Sequence, residues 1–149
     1  MRTVPIHAAA TARGRPGRGC PLPLWRTRLP TDISEAELAA VTRAVSSAAI
    51  LHERRWPAAR SGDAAAAVAV AVGRLRGPGP EGAVSDLVMS NLLLVARRDG
   101  DPAARMVLSH ALRALARRRG RGAGLVRLAD AWSRRPAGGP RRNHQRRGR

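Results

Sequence analysis

Clusters of arginine are the residues in this chain whose type and spacing could do chemistry, and that chemistry is the holding of phosphate. Arg117, Arg118, Arg119 and Arg121, then Arg134 and Arg135, Arg141 and Arg142, and Arg146, Arg147 and Arg149 crowd the C-terminal part of the chain, with Arg113 one helical turn ahead of the first cluster. A guanidinium is a planar fork of donors that meets two phosphate oxygens at once and stays charged at any physiological pH. Each phosphate contact also releases a condensed counterion, so such clusters bind DNA or RNA without reading its sequence. These twelve positions are the candidate nucleic-acid contacts.

Composition offers a second origin for the same residues. All 28 basic side chains are arginine, with no lysine, and alanine, arginine, glycine and proline make up 83 of the 149 residues. Those four are the amino acids of GC-rich codons, so the choice of arginine over lysine says nothing about function. What carries weight is where the charge sits. Residues 1–30 hold six arginines and no acid, residues 31–112 nine arginines against nine acids, and residues 113–149 thirteen arginines against Asp130 alone, which apportions the net charge of +18. The expected organisation is a basic arm over 1–30, a helical domain over 31–135 whose first part, to residue 112, is charge-neutral, and a basic tail over 136–149. Both arms are expected to be disordered, because Arg, Gly and Pro bury too little apolar surface to offset chain entropy.

Absent residue types narrow the chemistry further. Without lysine there is no P-loop lysine and no Schiff base, and the glycine-rich stretches at 13–19, 77–82 and 120–124 lack the strand-to-helix setting of a nucleotide loop and read as linkers. His7, His52, His110 and His144 are far apart, and none stands at a metal-ligand spacing from Cys20. His52 reads as a histidine at the edge of the core. No grouping of serine, cysteine and histidine suggests a nucleophile, so neither an enzyme nor a cofactor is expected. A single cysteine permits no intramolecular disulfide and fits a reducing, cytoplasmic location. The longest small-apolar run, Ala64 to Val72, is nine residues, against the roughly 20 that cross a bilayer, so no membrane span is expected.

Positioning of the arginines falls to helices. Ser34 followed by Glu37 is a capping-box signature, and Leu38, Val41, Val45, Ala48, Ala49, His52 and Trp56 then recur at helical spacing, which predicts a helix to about Arg55 that Pro57 stops. Asp63 caps a second segment with Ala65, Val68, Val72 and Leu75 inside. Val68, Val70 and Val72 also alternate as a strand would, and the abundance of alanine decides for helix. A third helix over about Ser85 to Arg98 carries Val84, Val88, Leu92 and Val95 on one stripe. Gly100, Asp101 and Pro102 supply a C-terminal cap, an N-cap and a first helical residue in the usual order. The next helix, Pro102 to Arg118, places Ala104, Leu108, Ala111, Leu112 and Leu115 inside and ends at Gly120. A last one, Gly124 to Arg134, carries Leu125, Leu128, Ala129 and Trp132. The fold class is all-α, a small bundle of four or five helices with disordered Arg/Gly/Pro-rich arms.

The stretch LLVARRDGDPAARMVLSHALRALARR at 93–118, with Asp86 and Leu87 before it, resembles the start of the second conserved region of bacterial sigma factors, where a leucine helix, an A-x-x-GD turn and a second leucine helix occur together. Homology would imply binding to RNA polymerase and promoter DNA. The aromatic-rich melting segment that should follow is replaced by RRRGRGAG, and the same helix, Gly-Asp turn and helix occur in tetratricopeptide-like and HEAT-like hairpins, so no family is claimed. Three readings of function stay open: nonspecific nucleic-acid association through the arginine-rich arms, a helical adaptor or homo-oligomer with incidental basic tails, and a loosely constrained reading frame with no dedicated role.

Overall fold

Ser34 begins the first long helix as its sequence requires. Its side chain accepts from the Glu37 amide while the Glu37 carboxylate accepts from the Ser34 amide at 2.9 Å, closing the capping box. Those hydrogen bonds hold the Glu37 carboxyl below the usual carboxylate range. In the computed structural model, which describes residues 19–120 and 122–134, the α-helices are α1 (Glu35–Ser47), α2 (Trp56–Arg60), α3 (Ala64–Arg76), α4 (Ala83–Arg98), α5 (Pro102–Arg119) and α6 (Ala123–Ser133), preceded by 3-10 turns at Leu22–Arg26 and Pro30–Asp32. No strand occurs among the described residues, and no helix there is long and apolar enough to cross a membrane. Residues 1–18 and 135–149, where most of both expected arms lies, are outside the described residues.

Helix α4 is the centre of the bundle. It is buried on every side from Ser85 to Ala96, and the first 3-10 turn, α1, α3 and α5 pack around it, with α6 against the far side of α5. The predicted single stripe on this helix is therefore too narrow. A helix apolar all round is one that neighbours enclose, and three of the buried polar residues that break its sequence pattern, Ser85, Asp86 and Ser90, are spent on internal hydrogen bonds.

The largest correction concerns residues 19–30, expected as part of a disordered arm. Trp25 is fully buried, and its indole Nε1 donates to Asp86 Oδ1 at 2.9 Å. Arg26 grips the same carboxylate with Nε and Nη2 at 2.8 and 2.9 Å, and Ser90 Oγ donates to the Leu22 carbonyl at 2.6 Å. Asp86 and Ser90 lie one helical turn apart on α4, so one face of that helix fastens the whole turn. The hydrogen bond that Arg26 donates to Asp86 raises the Arg26 pKa above its ordinary value, against the opposing effect of burial. Pro21 and Pro23 do not preclude order here, because a 3-10 turn accepts proline at its start.

Three smaller corrections follow from packing. Helix α1 ends at Ser47, short of Arg55, and the chain turns through residues 48–55 with His52 exposed at φ 67°. A continuous helix would have set Pro57 in its interior, whereas here Pro57 falls in the first turn of α2, where its missing N–H costs nothing. His52 is thus a turn residue and no part of the core. Trp56 is buried as expected, but by folding back: its Nε1 donates to the Ala48 carbonyl at 3.0 Å. On α3 the buried residues are Ala67, Val70 and Ala71, a face rotated from the one expected, and Ala65 is exposed.

The turn between α4 and α5 is as the sequence requires. Gly100 has φ 62°, and the Asp101 carboxylate accepts from the Ala104 amide at 2.7 Å ahead of Pro102. Nothing lies within 4 Å of a Cβ built on Gly100, so backbone conformation alone opposes a side chain there. Gly100→Val is expected to cost about 1 kcal/mol or more, the strain of a β-branched residue at positive φ. A urea melt checks this, and an unchanged midpoint would remove the turn's role.

Candidate nucleic-acid interface

The described candidate arginines reach the surface from the C-terminal half of α5 and the end of α6. The five residues expected inside α5, Ala104, Leu108, Ala111, Leu112 and Leu115, are all fully buried. Their burial turns the face bearing Met106, His110, Arg113 and Arg117 outward, since these recur at helical spacing on the opposite side. Arg113 and Arg117 are one turn apart and line an open groove at the α5–α6 junction with Ala116, Gly120, Gly122 and Val126. Gly120 ends α5 in the left-handed region at φ 64°, and Gly122 begins α6 without a side-chain cap or any acid in the first turn. The free amides and positive dipole end of an eleven-residue helix therefore open beside the two guanidinium groups.

An acid already holds one of the two. Arg113 Nη2 donates to Asp130 Oδ1 at 2.6 Å, with both side chains close to half exposed. Such an exposed pair contributes about 0–1 kcal/mol, so a phosphate can displace the carboxylate. Arg117 is exposed and makes no hydrogen bond to a described residue.

The remaining candidates do not gather at this groove. Arg118 turns toward the 77–82 loop, where its guanidinium lies so close to Gly79 that a Cβ there would sit 2.6 Å from Nη2. Arg119 Nε donates to Glu81 Oε1 at 3.4 Å on the same side. That loop is more than a linker: Gly79 and Pro80 are buried, Gly79 N donates to the Arg74 carbonyl, and the Gly79 carbonyl accepts from Ser85 Oγ at 2.7 Å. Arg134 is exposed at the other end of α6, about 16 Å from the groove by the rise of a helix that long. Arg121, Arg135, Arg141, Arg142, Arg146, Arg147 and Arg149 lie outside the described residues.

Base stacking has no surface to occur on. Trp25, Trp56 and Trp132 are 0, 2 and 2% exposed, and the chain has no phenylalanine or tyrosine. A second polar cluster, which the sequence reading missed, lines a small cavity between α1, α2 and α4 and includes Arg60, Asn91 and Arg98. Its residues come from three separate elements, and the one signal along the chain was Asn91 standing in an apolar run. Among the described residues no group of three or more His, Cys, Asp or Glu could hold a metal ion. The likeness of 93–118 to a sigma-factor region is carried by the α4–α5 hairpin alone. Compared with protein-family models, curated proteins and solved structures, the chain matches none.

Proposed function

We propose that this protein associates with nucleic acid through its phosphates, without reading base sequence. The observation that carries the reading is the α5–α6 groove, where Arg113 and Arg117 stand one turn apart beside the uncapped N-terminus of α6. Anions are held at such helix ends by backbone amides and dipole together, and a pair of guanidinium groups adds two forks. The net charge of +18 supplies long-range attraction to a polyanion. Burial of every tryptophan leaves no stacking platform of the kind single-strand binders use, which favours backbone contact over base contact. The exposed large hydrophobic side chains among the described residues, Leu29, Leu51, Met106 and Val126, come from four separate segments and supply little of the apolar patch that an adaptor would present.

The test is a mobility-shift titration with mixed-sequence duplex at two salt concentrations. For six to ten phosphate contacts, affinity should fall by roughly 10³ to 10⁵ between 50 and 200 mM salt. Arg113→Gln with Arg117→Gln should lower affinity equally on every sequence and reduce the salt slope by about two. Asp130→Asn, which releases Arg113, should bind more tightly than the parent. Absence of binding at low salt, or a slope that the double substitution leaves unchanged, would overturn the reading.

A further inference from the structure

Three of the four polar side chains buried along α4 have partners within the fold. Ser85 donates to Gly79 and accepts from Arg74, Asp86 accepts from Trp25 and Arg26, and Ser90 donates to Leu22. The fourth is Asn91. It is 3% exposed, and its carboxamide makes no hydrogen bond to any described residue. A carboxamide has two N–H donors and a carbonyl oxygen to satisfy, and with none of them paired inside the fold they are left to whatever occupies the space beside Asn91.

What Asn91 lines is a partly open cavity of about 90 Å³ between α1, α2 and α4, with Arg60, Ser61, Arg98 and Asp99 exposed at its rim. Thr42, Ser46, Arg60, Ser61 and Arg98 share its lining. Both guanidinium groups are braced from one side only. Arg60 Nη1 donates to the Ala48 carbonyl at 3.0 Å and to the Ser46 carbonyl at 3.4 Å, and Arg98 Nη2 donates to Thr42 Oγ1 at 2.8 Å. Thr42 in turn commits its proton to the Leu38 carbonyl at 2.8 Å. The other guanidinium nitrogens of Arg60 and Arg98 have no acceptor among the described residues. Asp99 is the one acid on the lining, so two positive charges meet one negative.

Size and donor count choose the occupant. Pockets for organic ligands of drug size run to roughly 300–1,000 Å³ and are mostly apolar, whereas this one is far smaller and sets Arg60, Asn91 and Arg98 beside Val45, Leu94 and Val95. A lone cation is opposed by the two guanidinium groups. A tetrahedral oxyanion presents an acceptor on every side, which matches donors arriving from Arg60 on α2 and from Asn91 and Arg98 on α4. We propose that the cavity between α1, α2 and α4 binds a single phosphate group, as free phosphate or as the end of a phosphomonoester. At about 90 Å³ it has room for one phosphate group but not for the second ester arm of an internal phosphodiester. This site is distinct from the α5–α6 groove and does not rest on the reading given to that groove.

Calorimetric titration of the full-length protein at constant ionic strength in chloride tests the proposal, with inorganic phosphate, methyl phosphate and dimethyl phosphate as probes. Saturable binding of inorganic phosphate at one site is expected, with dimethyl phosphate inert. Methyl phosphate binding alongside it would identify a monoester site, and its failure would restrict the cavity to the free ion. Arg60→Gln with Arg98→Gln should weaken binding about tenfold or more, the loss of charge-assisted hydrogen bonds. Asn91→Leu, which fills the cavity with an apolar side chain, should abolish binding with circular dichroism unchanged. Arg113→Gln with Arg117→Gln should leave it intact. The proposal is overturned by folded wild-type protein that shows no saturable heat, by undiminished binding in the Arg60/Arg98 or Asn91 variants, or by equal binding of dimethyl phosphate.

Discussion

Replacing Trp25 by alanine is expected to remove about 3–5 kcal/mol of stability, the cost of truncating a large buried aromatic. That is a large share of the roughly 5–15 kcal/mol by which a domain is stable, although the residue lies in a proline- and arginine-rich segment. Two terms add. The indole is fully buried among residues of α4 and its neighbours, and its Nε1 is the partner that Asp86 has inside the fold apart from Arg26. Asp86→Ala should cost about 3 kcal/mol, since it strands the buried indole N–H and leaves Arg26 unpaired. The value sits at the low end for a buried pair because the Arg26 side chain is 23% exposed and can turn to water. Trp132 provides the control. It is 2% exposed, but its Nε1 has no partner among the described residues. Phenylalanine at 25 and at 132 removes the same part of an indole, so the difference between the two costs isolates the hydrogen bond to Asp86. Trp25→Phe should cost about 1–3 kcal/mol more than Trp132→Phe. Denaturant melts of the four variants check this, and equal costs at 25 and 132 would mean that the Asp86 contact contributes nothing. A chain beginning at residue 31 should likewise be much less stable than one beginning at Gly19.

Why the sequence concealed this segment is a matter of distance along the chain. The caps at Ser34, Asp63 and Asp101 were legible because each accepts from the backbone amide three residues ahead, and the end at Gly120 because glycine suits the left-handed conformation found there. The segment around Trp25 is ordered by Asp86 and Ser90, more than sixty residues away, and no local pattern announces such a partner. The end of α1 was hidden by coincidence: Trp56 keeps helical register with Val45 and His52, yet it is buried by folding back from a separate turn. Helix α3 defeated the search for an inward face because a run of alanine and valine has no polar side to orient it, leaving shape to choose Ala67, Val70 and Ala71. The candidate site was legible in part. Arginine spacing on α5 placed Arg113 and Arg117 together, whereas the acids that hold Arg113 and Arg119, and the glycine that admits Arg118, come from other elements.

The groove itself depends on a glycine whose backbone conformation any residue could adopt. Gly122 has φ −115°, so no strain opposes a side chain, but a Cβ there would lie 2.5 Å from the Ala116 Cβ, 3.0 Å from its Cα and 3.2 Å from its carbonyl oxygen. Two of those atoms belong to the backbone of α5 and cannot swing aside, so Gly122→Ala must push α6 away. Overpacking of this kind costs about 1–3 kcal/mol. Displacement also pulls Asp130 from Arg113 and the α6 amides from the two guanidinium groups, so the same substitution should weaken duplex binding beyond what stability alone accounts for. Ala116→Gly separates the steric cause from any other. By itself it costs about 1 kcal/mol, as glycine does inside a helix, but it removes the nearest of the three clashing atoms. The penalty of Gly122→Ala should therefore be smaller in the Ala116→Gly background than in the parent, a coupling that a double-mutant cycle of urea melts measures directly. Strict additivity of the two changes would show that α5 and α6 do not meet at this point, and with it would go the reason for placing an anion between Arg113, Arg117 and the start of α6.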